Sequence, residues 1–282
     1  IVELSVFRKS KNLNRLEYSA AISADGLVVA FRSAATNLVD DDTNRANDIF
    51  VRDILAGTTV RVSVASDGTQ ANGTSGNTSI SASGRIIAFN SDANNLIPDD
   101  TNGTTDAFVH DLVTGITERV SVASDGTPGN GPSDGPVLSA SGRYVAFHSL
   151  AANLVVGDSN GQPDIFLHDR ETGATERVSV ASGGAQGNGI SDLPVISASG
   201  RYVAFRSEAS NLVAGDTNQW SDIFLHDRRT GATTRVSIAS DGTQGNGPAG
   251  RPALSATGDF VAFPSLATNL VSGDTNGKYD IF

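Results

Sequence analysis

"SASGRYVAF" stands at residues 139–147 and again, letter for letter, at 197–205. The identity is one cut through a longer period. Phe31, Phe89, Phe147, Phe205 and Phe263 each follow an alanine and are evenly spaced along the chain. Phe50, Phe108, Phe166, Phe224 and Phe282 keep the same step, and so does Arg-Val-Ser at Arg61, Arg119, Arg177 and Arg235. The N-terminal Glu3-Leu4-Ser5-Val6 falls in that register. Five copies without an insertion mark a repeat architecture.

Each copy carries four short apolar runs, which in the third copy are 136–139, 144–149, 164–169 and 175–180. They are rich in Val, Ile, Phe or Tyr and bounded by turn residues, which is the pattern of strands. Ser-Ala-Ser-Gly-Arg at 139–143 and Arg-Glu-Thr-Gly-Ala at 170–174 read as tight turns. Tyr144-Val-Ala-Phe147 is apolar on both faces, as a strand between two neighbouring sheets requires. A four-stranded unit repeated radially is a propeller blade, so the expected fold is an all-β, five-bladed β-propeller of antiparallel strands. Five full periods make 290, eight more than the 282 of the chain. The chain starts in a fourth-strand segment and stops in a third-strand one, so residues 1–6 are expected to complete the fifth blade. That gives one domain over 1–282 with no exposed radial edge, where a solenoid would need capping repeats.

Ser139-Ala-Ser-Gly-Arg-Tyr-Val-Ala-Phe147, followed by Asp164-Ile-Phe166 and His168-Asp169, resembles the TolB-type (WD-like) β-propeller repeat. That repeat reads Ser-Pro-Asp-Gly, an Ala-Phe strand, Asp-Ile-Tyr and a further Asp. The resemblance covers all five copies. Alanine replaces the proline here, and the turn aspartate survives only at Asp25. The resemblance implies the propeller fold; such propellers serve as scaffolds, binding modules and enzyme accessory domains.

The formal charge of -11 argues against nucleic acid or an anionic membrane as partner. With no cysteine, disulfides and thiolate metal sites are excluded. No run of 18 apolar residues exists, so no membrane insertion is expected. Methionine is absent, position 1 included, and the reading is a processed, secreted domain, extracellular or periplasmic and monomeric.

Strand alternation sends the two long loops of every copy to one end, where long loops on a rigid scaffold commonly bind ligands. The first loop carries Asp-x-Asn-x-x-x-Asp five times. The sets are Asp42, Asn44, Asp48; Asp100, Asn102, Asp106; Asp158, Asn160, Asp164; Asp216, Asn218, Asp222; and Asp274, Asn276, Asp280. These are oxygen ligands that Ca²⁺ accepts, but each loop lacks the third acidic residue and the terminal Glu of an EF-hand. An Asx-turn network that starts the third strand is the favoured reading, with the second Asp capping backbone N–H groups and calcium as the alternative.

In the second loop, Asn130, Asn188 and Asn246 offer sugar contacts or a turn brace, with bracing favoured. Its glycines lack the Gly-Lys-Ser/Thr of a nucleotide site. Trp220 is a stacking platform for a sugar or a loop anchor. His110, His168 and His226 recur around the repeat, which suits packing or surface roles. Arg8, Lys9, Lys11 and Arg15 make the first copy's loop basic.

Glu17, Asp134 and Asp192 precede the first strands of three copies, where five-bladed glycosidases place their acid and base. The leading expectation is a non-catalytic binding or scaffold propeller for a glycan or protein. A glycoside hydrolase using those three carboxylates is the alternative. A calcium-stabilised module of a larger surface protein is the third reading.

Overall fold

Strands with apolar residues on both faces need cover on both sides, and the structure supplies it by stacking sheets. The computed structural model describes residues 20–282, and no helix occurs among them. Copy 1 forms strands Ala20–Ile22, Val28–Ser33, Asp48–Asp53 and Thr58–Arg61. Copy 2 forms Ser75–Ile80, Ile86–Ser91, Asp106–Asp111 and Thr117–Arg119. Copy 3 forms Ser133–Leu138, Tyr144–Ser149, Asp164–Asp169 and Ala174–Arg177, and copy 4 Ser191–Ile196, Tyr202–Ser207, Asp222–Asp227 and Ala232–Arg235. Each is a four-stranded antiparallel meander in sequence order.

Two of the expected strands of copy 3 shift at both ends, to Ser133–Leu138 and Ala174–Arg177. The first strand of copy 3 starts at Ser133, not at residue 136, because a bulge lets Ser133 pair with Ser149 across the Ser-Asp-Gly that reads as a turn. The fourth strand ends at Arg177, short of residue 180, after which Val178 donates to the Ile165 carbonyl and the chain turns away.

The fifth copy is a broken version of the same sheet. Ala253–Leu254 pairs with Val261–Ala262, and Pro264–Ser265 with Asp280–Ile281. Phe263 and Phe282 exchange both backbone hydrogen bonds between those pieces. Pro264 stands where the other copies have Arg32, Asn90, His148 and Arg206, and its missing N–H interrupts the ladder. The segment Ile1–Val6, expected to complete this sheet, lies outside the described residues.

The cores lie between sheets. Val145 and Phe147 pack with Ile86, Ala88, Ala107 and Val109 of the preceding copy. Ala146, one residue along the same strand, faces Val203 and Phe205 of the following copy. Cross-strand phenylalanine pairs repeat through all five copies, with Phe147 and Phe166 centroids 6.1 Å apart. Both rings are fully buried, so each pair adds a stacking term to its area burial.

Neighbouring copies are also tied by hydrogen bonds through the Ser-Ala-x-Gly turns. Ala24 N–H donates to Ala82 O, Ala82 to Ala140, Ala140 to Ala198 and Ala198 to Ala256, at 2.9–3.1 Å. Gly200 in this turn has φ of 76°, and a Cβ there would lie 2.2 Å from Tyr144 Cδ2. Only glycine lets the turn sit on the tyrosine ring. The arginine that follows forks the aspartate ending the third strand. Arg143 Nε and Nη2 reach Asp169 at 2.8 and 2.6 Å, and that bond holds Asp169 well below the usual carboxylate range.

Candidate functional site

The two long loops of a copy interlock at one end of the sheets. In copy 3, Asn160 Nδ2 donates to Asp164 Oδ2 at 3.0 Å and to the Gly187 carbonyl at 2.8 Å, joining the first loop to the second. Asn160 Oδ1 accepts the Gln162 N–H at 2.8 Å, the Asx turn expected from sequence. The second aspartate does not cap a backbone N–H directly. Asp164 Oδ1 accepts the Ser179 hydroxyl at 2.6 Å, and that hydroxyl accepts the Ile165 N–H at 3.0 Å. The arrangement recurs around Asp48, Asp106 and Asp222.

The first aspartate faces a guanidinium. Arg119 Nη1 lies 3.0 Å from Asp100 and 3.1 Å from Asp106. Arg177 Nη1 lies 3.4 Å from Asp158 and 3.5 Å from Asp164, and Arg235 Nη1 is 3.1 Å from Asp216 and 3.4 Å from Asp222. Arg61 Nη1 is 3.7 Å from Asp42. The residue beside the arginine and the way its amide faces accompany the spread: in copy 4, Gln244 turns its Oε1 to Arg235 Nη1 at 2.8 Å and its Nε2 to Thr217. In copy 3, Gln186 Nε2 donates to Asp158 at 2.7 Å and Asp164 at 3.2 Å, holding the arginine off. Gln70 does the same in copy 1. In copy 2 the position is Pro128, and the arginine closes in. Burial, with the neighbouring aspartate, pushes Asp100 and Asp216 up from the ordinary carboxylate value. Among the described residues, no three of His, Asp or Glu are grouped to hold a metal ion.

The expected sugar contacts of the second loop are engaged within the loops. Asn188 Nδ2 donates to Ser210 Oγ at 3.0 Å while its Oδ1 accepts the Ser210 N–H, and Asn246 repeats this with Thr268. Asn130 Oδ1 accepts the Ala152 N–H. Trp220 is half exposed, with its backbone N–H on Asn218 Oδ1. His110, His168 and His226 are buried, each Nδ1 within 2.8–2.9 Å of a threonine hydroxyl, and burial lowers all three below the ordinary histidine value.

Against these repeated braces, the copies diverge where the first strands of adjacent sheets pack side by side. A bulge occupies the loop-bearing end of each of these strands in copies 2, 3 and 4. It puts Asn77, Gly135 and Leu193 at φ of 39°, 60° and 53°, and the two non-glycine residues are strained there. Bulges of this kind re-aim side chains. Asp192 is forked by Arg206, with Nε 2.7 Å from Oδ1, and Glu208 and Tyr279 lie within electrostatic reach of that guanidinium. Asp134 Oδ1 accepts from Asn77 Nδ2 of the preceding copy at 2.7 Å and from Gly135 N–H at 2.6 Å. A Cβ on Gly135 would sit 3.3 Å from His148 Nδ1, and one on Gly76 would sit 3.3 Å from Asn90 Oδ1 and 3.4 Å from Arg32 Nη1. The glycines therefore leave the room these side chains fill.

Sequence reasoning placed Asp134 and Asp192 here but missed Arg32, Asn77, Asn90 and Arg206. The available signal was position 32 and its equivalents in the other copies, which read Arg, Asn, His, Arg and Pro in order. Glu17, the third expected carboxylate, lies outside the described residues, as do Arg8, Lys9, Lys11 and Arg15.

No family model matches the sequence, and no curated protein matches it. Solved structures do match. A TolB from Acinetobacter baumannii is 18% identical, with a TM-score of 0.52 over 89% of this chain and 52% of that one. A dipeptidyl peptidase 4 from Porphyromonas gingivalis is 17% identical, with a TM-score of 0.52 over 93% of this chain and 38% of that one. An oligogalacturonate lyase in complex with manganese is 12% identical, with a TM-score of 0.52 over 95% of this chain and 65% of that one. The chain thus has the TolB-type β-propeller fold, and it spans about half the length of the TolB it matches.

Proposed function

We propose that the chain is a non-catalytic binding or scaffold propeller that engages a glycan or protein at its loop-bearing end. The reading includes a closed ring of five blades forming one monomeric domain over 1–282, in which Ile1–Val6 supplies the fourth strand of the fifth blade. An extracellular or periplasmic location belongs to it, supported by the acidic, cysteine-free composition. The observation that carries it is the contrast between the two parts of that end. The Asn-Asp-Ser core of the loop braces repeats in copies 1 to 4, which makes a stiff support, while Asn77, Asn90, Asp134, His148, Asp192 and Arg206 differ from copy to copy. Stiff support with variable side chains is the division of labour of a binding scaffold.

For the four Asp-Asn loops that face an arginine, we read a brace in preference to calcium, because the guanidinium stands where a cation would. A glycan screen and a partner pull-down with the whole chain test the function. Arg206→Gln is expected to weaken any ligand found at least tenfold, whereas Asn188→Ala is not. Flat results on both screens, or binding indifferent to Arg206, would overturn the reading.

Asp134 and Asp192 occupy the same position of adjacent copies, which favours the glycoside hydrolase as second reading, with Glu17 as its third carboxylate. Asp134 Oδ1 already accepts from Asn77 and Gly135, and both Asp192 oxygens are taken by Arg206. Hydrolysis unchanged in the Asp134→Asn, Asp192→Asn double variant would end that reading.

A further inference from the structure

Gly76 and Asn90 face each other across the first two strands of copy 2, at the loop-bearing end. The equivalent pair in copy 4 is Asp192 and Arg206, where the guanidinium forks the carboxylate. In copy 3 it is Asp134 and His148. A glycine at 76 offers Asn90 no side chain, and Asn90 Oδ1 is buried without a hydrogen-bond partner among the described residues. The same glycine leaves a space with two polar walls. A Cβ on Gly76 would sit 3.3 Å from Asn90 Oδ1 and 3.4 Å from Arg32 Nη1. Asn77, the next residue, is held at φ of 39°, and its Nδ2 donates to Asp134 Oδ1 of the following copy at 2.7 Å. A buried amide oxygen without a donor and a strained backbone both cost stability, and such costs collect where a ligand binds.

We propose that this space is the hydroxyl pocket of a neutral-glycan site, in which Asn90 and Arg32 read one sugar hydroxyl and Asp134 accepts from the next. The proposal rests on the reading above that the loop-bearing end binds a ligand, and it names a neutral glycan as that ligand. Only a group that both donates and accepts fits between an acceptor and a donor. A hydroxyl does so, answering Asn90 Oδ1 and the guanidinium together. A carboxylate only accepts and would set its oxygens against Asn90 Oδ1. An ammonium or a peptide N–H only donates, and the ammonium also meets the arginine charge. Vicinal hydroxyls repeat the donor–acceptor group along a pyranose, which brings a second one to the Asp134 carboxylate. Asn77 and the Gly135 N–H hold that carboxylate in place through Oδ1. The chain's formal charge of -11 disfavours acidic sugars.

The test titrates the whole chain by calorimetry with maltohexaose, cellohexaose, laminarihexaose and chitohexaose, and with a hyaluronan tetrasaccharide as the acidic counterpart. Saturable binding to at least one neutral oligosaccharide is expected, and none to the acidic one. Gly76→Ala fills the space with one methyl group, at a φ outside the left-handed region. It is expected to weaken binding at least tenfold while keeping Tm within about 2 °C. Asn90→Leu is expected to weaken binding as much and to leave Tm unchanged or raised, because the oxygen it removes is unpartnered. No saturable binding, tighter binding of the acidic sugar, or binding that both variants leave intact overturns the proposal. So does a fall in Tm beyond about 4 °C at Asn90→Leu, which would make the amide a part of the fold. Binding lost in Arg206→Gln yet kept in Gly76→Ala and Asn90→Leu removes this pocket and leaves the loop-bearing end as the binding face. A protein partner found by pull-down, with every sugar silent, removes the glycan and keeps the scaffold; silence in both removes both.

Discussion

Replacing the brace arginines by methionine, at Arg119 and at Arg177, removes the charge and keeps most of the stem packing. Each substitution leaves two aspartates with no opposite charge. Asp100 and Asp106 are 3% and 0% exposed at their side chains, and Asp158 and Asp164 are 5% and 0%. Removing one partner of a buried pair costs about 3–5 kcal/mol, because the other charge stays buried. The two sites fall at different ends of that range. In copy 3, Gln186 Nε2 still donates to both carboxylates after Arg177 is gone, so Arg177→Met is expected to cost about 3 kcal/mol. In copy 2, Pro128 offers no such donor and Arg119 makes the shorter contacts, so Arg119→Met is expected to cost about 5 kcal/mol. Urea unfolding of the whole chain at neutral pH reads both, and the corresponding falls in Tm are on the order of 10 °C. Losses below about 1 kcal/mol at both positions, the ordinary range of a surface ion pair, would refute the reasoning. So would a larger loss at Arg177 than at Arg119.

Three further outcomes follow from the packing. Phe147→Ala opens a cavity between two sheets and is expected to cost about 3–5 kcal/mol by urea denaturation. Gly189→Ala would put a Cβ 2.8 Å from the Glu208 carbonyl carbon and 2.9 Å from Ala209 N, and about 1–3 kcal/mol of overpacking is expected. Gly183→Ala, whose Cβ meets nothing within 4 Å, serves as the neutral or stabilising control. The buried histidines set a pH slope: their folded values lie below the unfolded one near 6.5, so the unfolded chain binds more protons and stability falls as pH drops below about 6.5. Replacing His110, His168 and His226 by glutamine should flatten the urea midpoint between pH 7 and 5.5, and an unchanged slope would assign it to other groups.

The sheets were legible because strand periodicity and turn chemistry are local, and because the repeat states them several times over. Tyr144–Ser149 and Asp164–Asp169 match their expected bounds residue for residue. Ser133 was misplaced because a bulge lets a Ser-Asp-Gly stretch pair as strand, which composition alone assigns to a turn. The braces were half legible. Asn160 was readable as an Asx turn from its neighbours, but the partner of Asp158 is Arg177, well beyond the loop and on the next strand. Arg-Val-Ser advertises its regularity and not what it touches. Arg206 and Asn90 were hidden for the opposite reason: attention to what recurs passes over positions whose content is their disagreement.

The hydrogen bonds between Ser-Ala-x-Gly turns all run the same way, each earlier copy donating and each later copy accepting. Growth of such an array by whole copies introduces a new peptide N–H and a new C=O together, each finding its counterpart in the flanking turns. Duplication of one whole period is therefore neutral in this layer, whereas a short insertion within a turn leaves a backbone group stranded between sheets. Unequal exchange between near-identical copies can change the number of sheets without first passing through a frustrated intermediate, and that permissiveness is built into the direction of four backbone bonds.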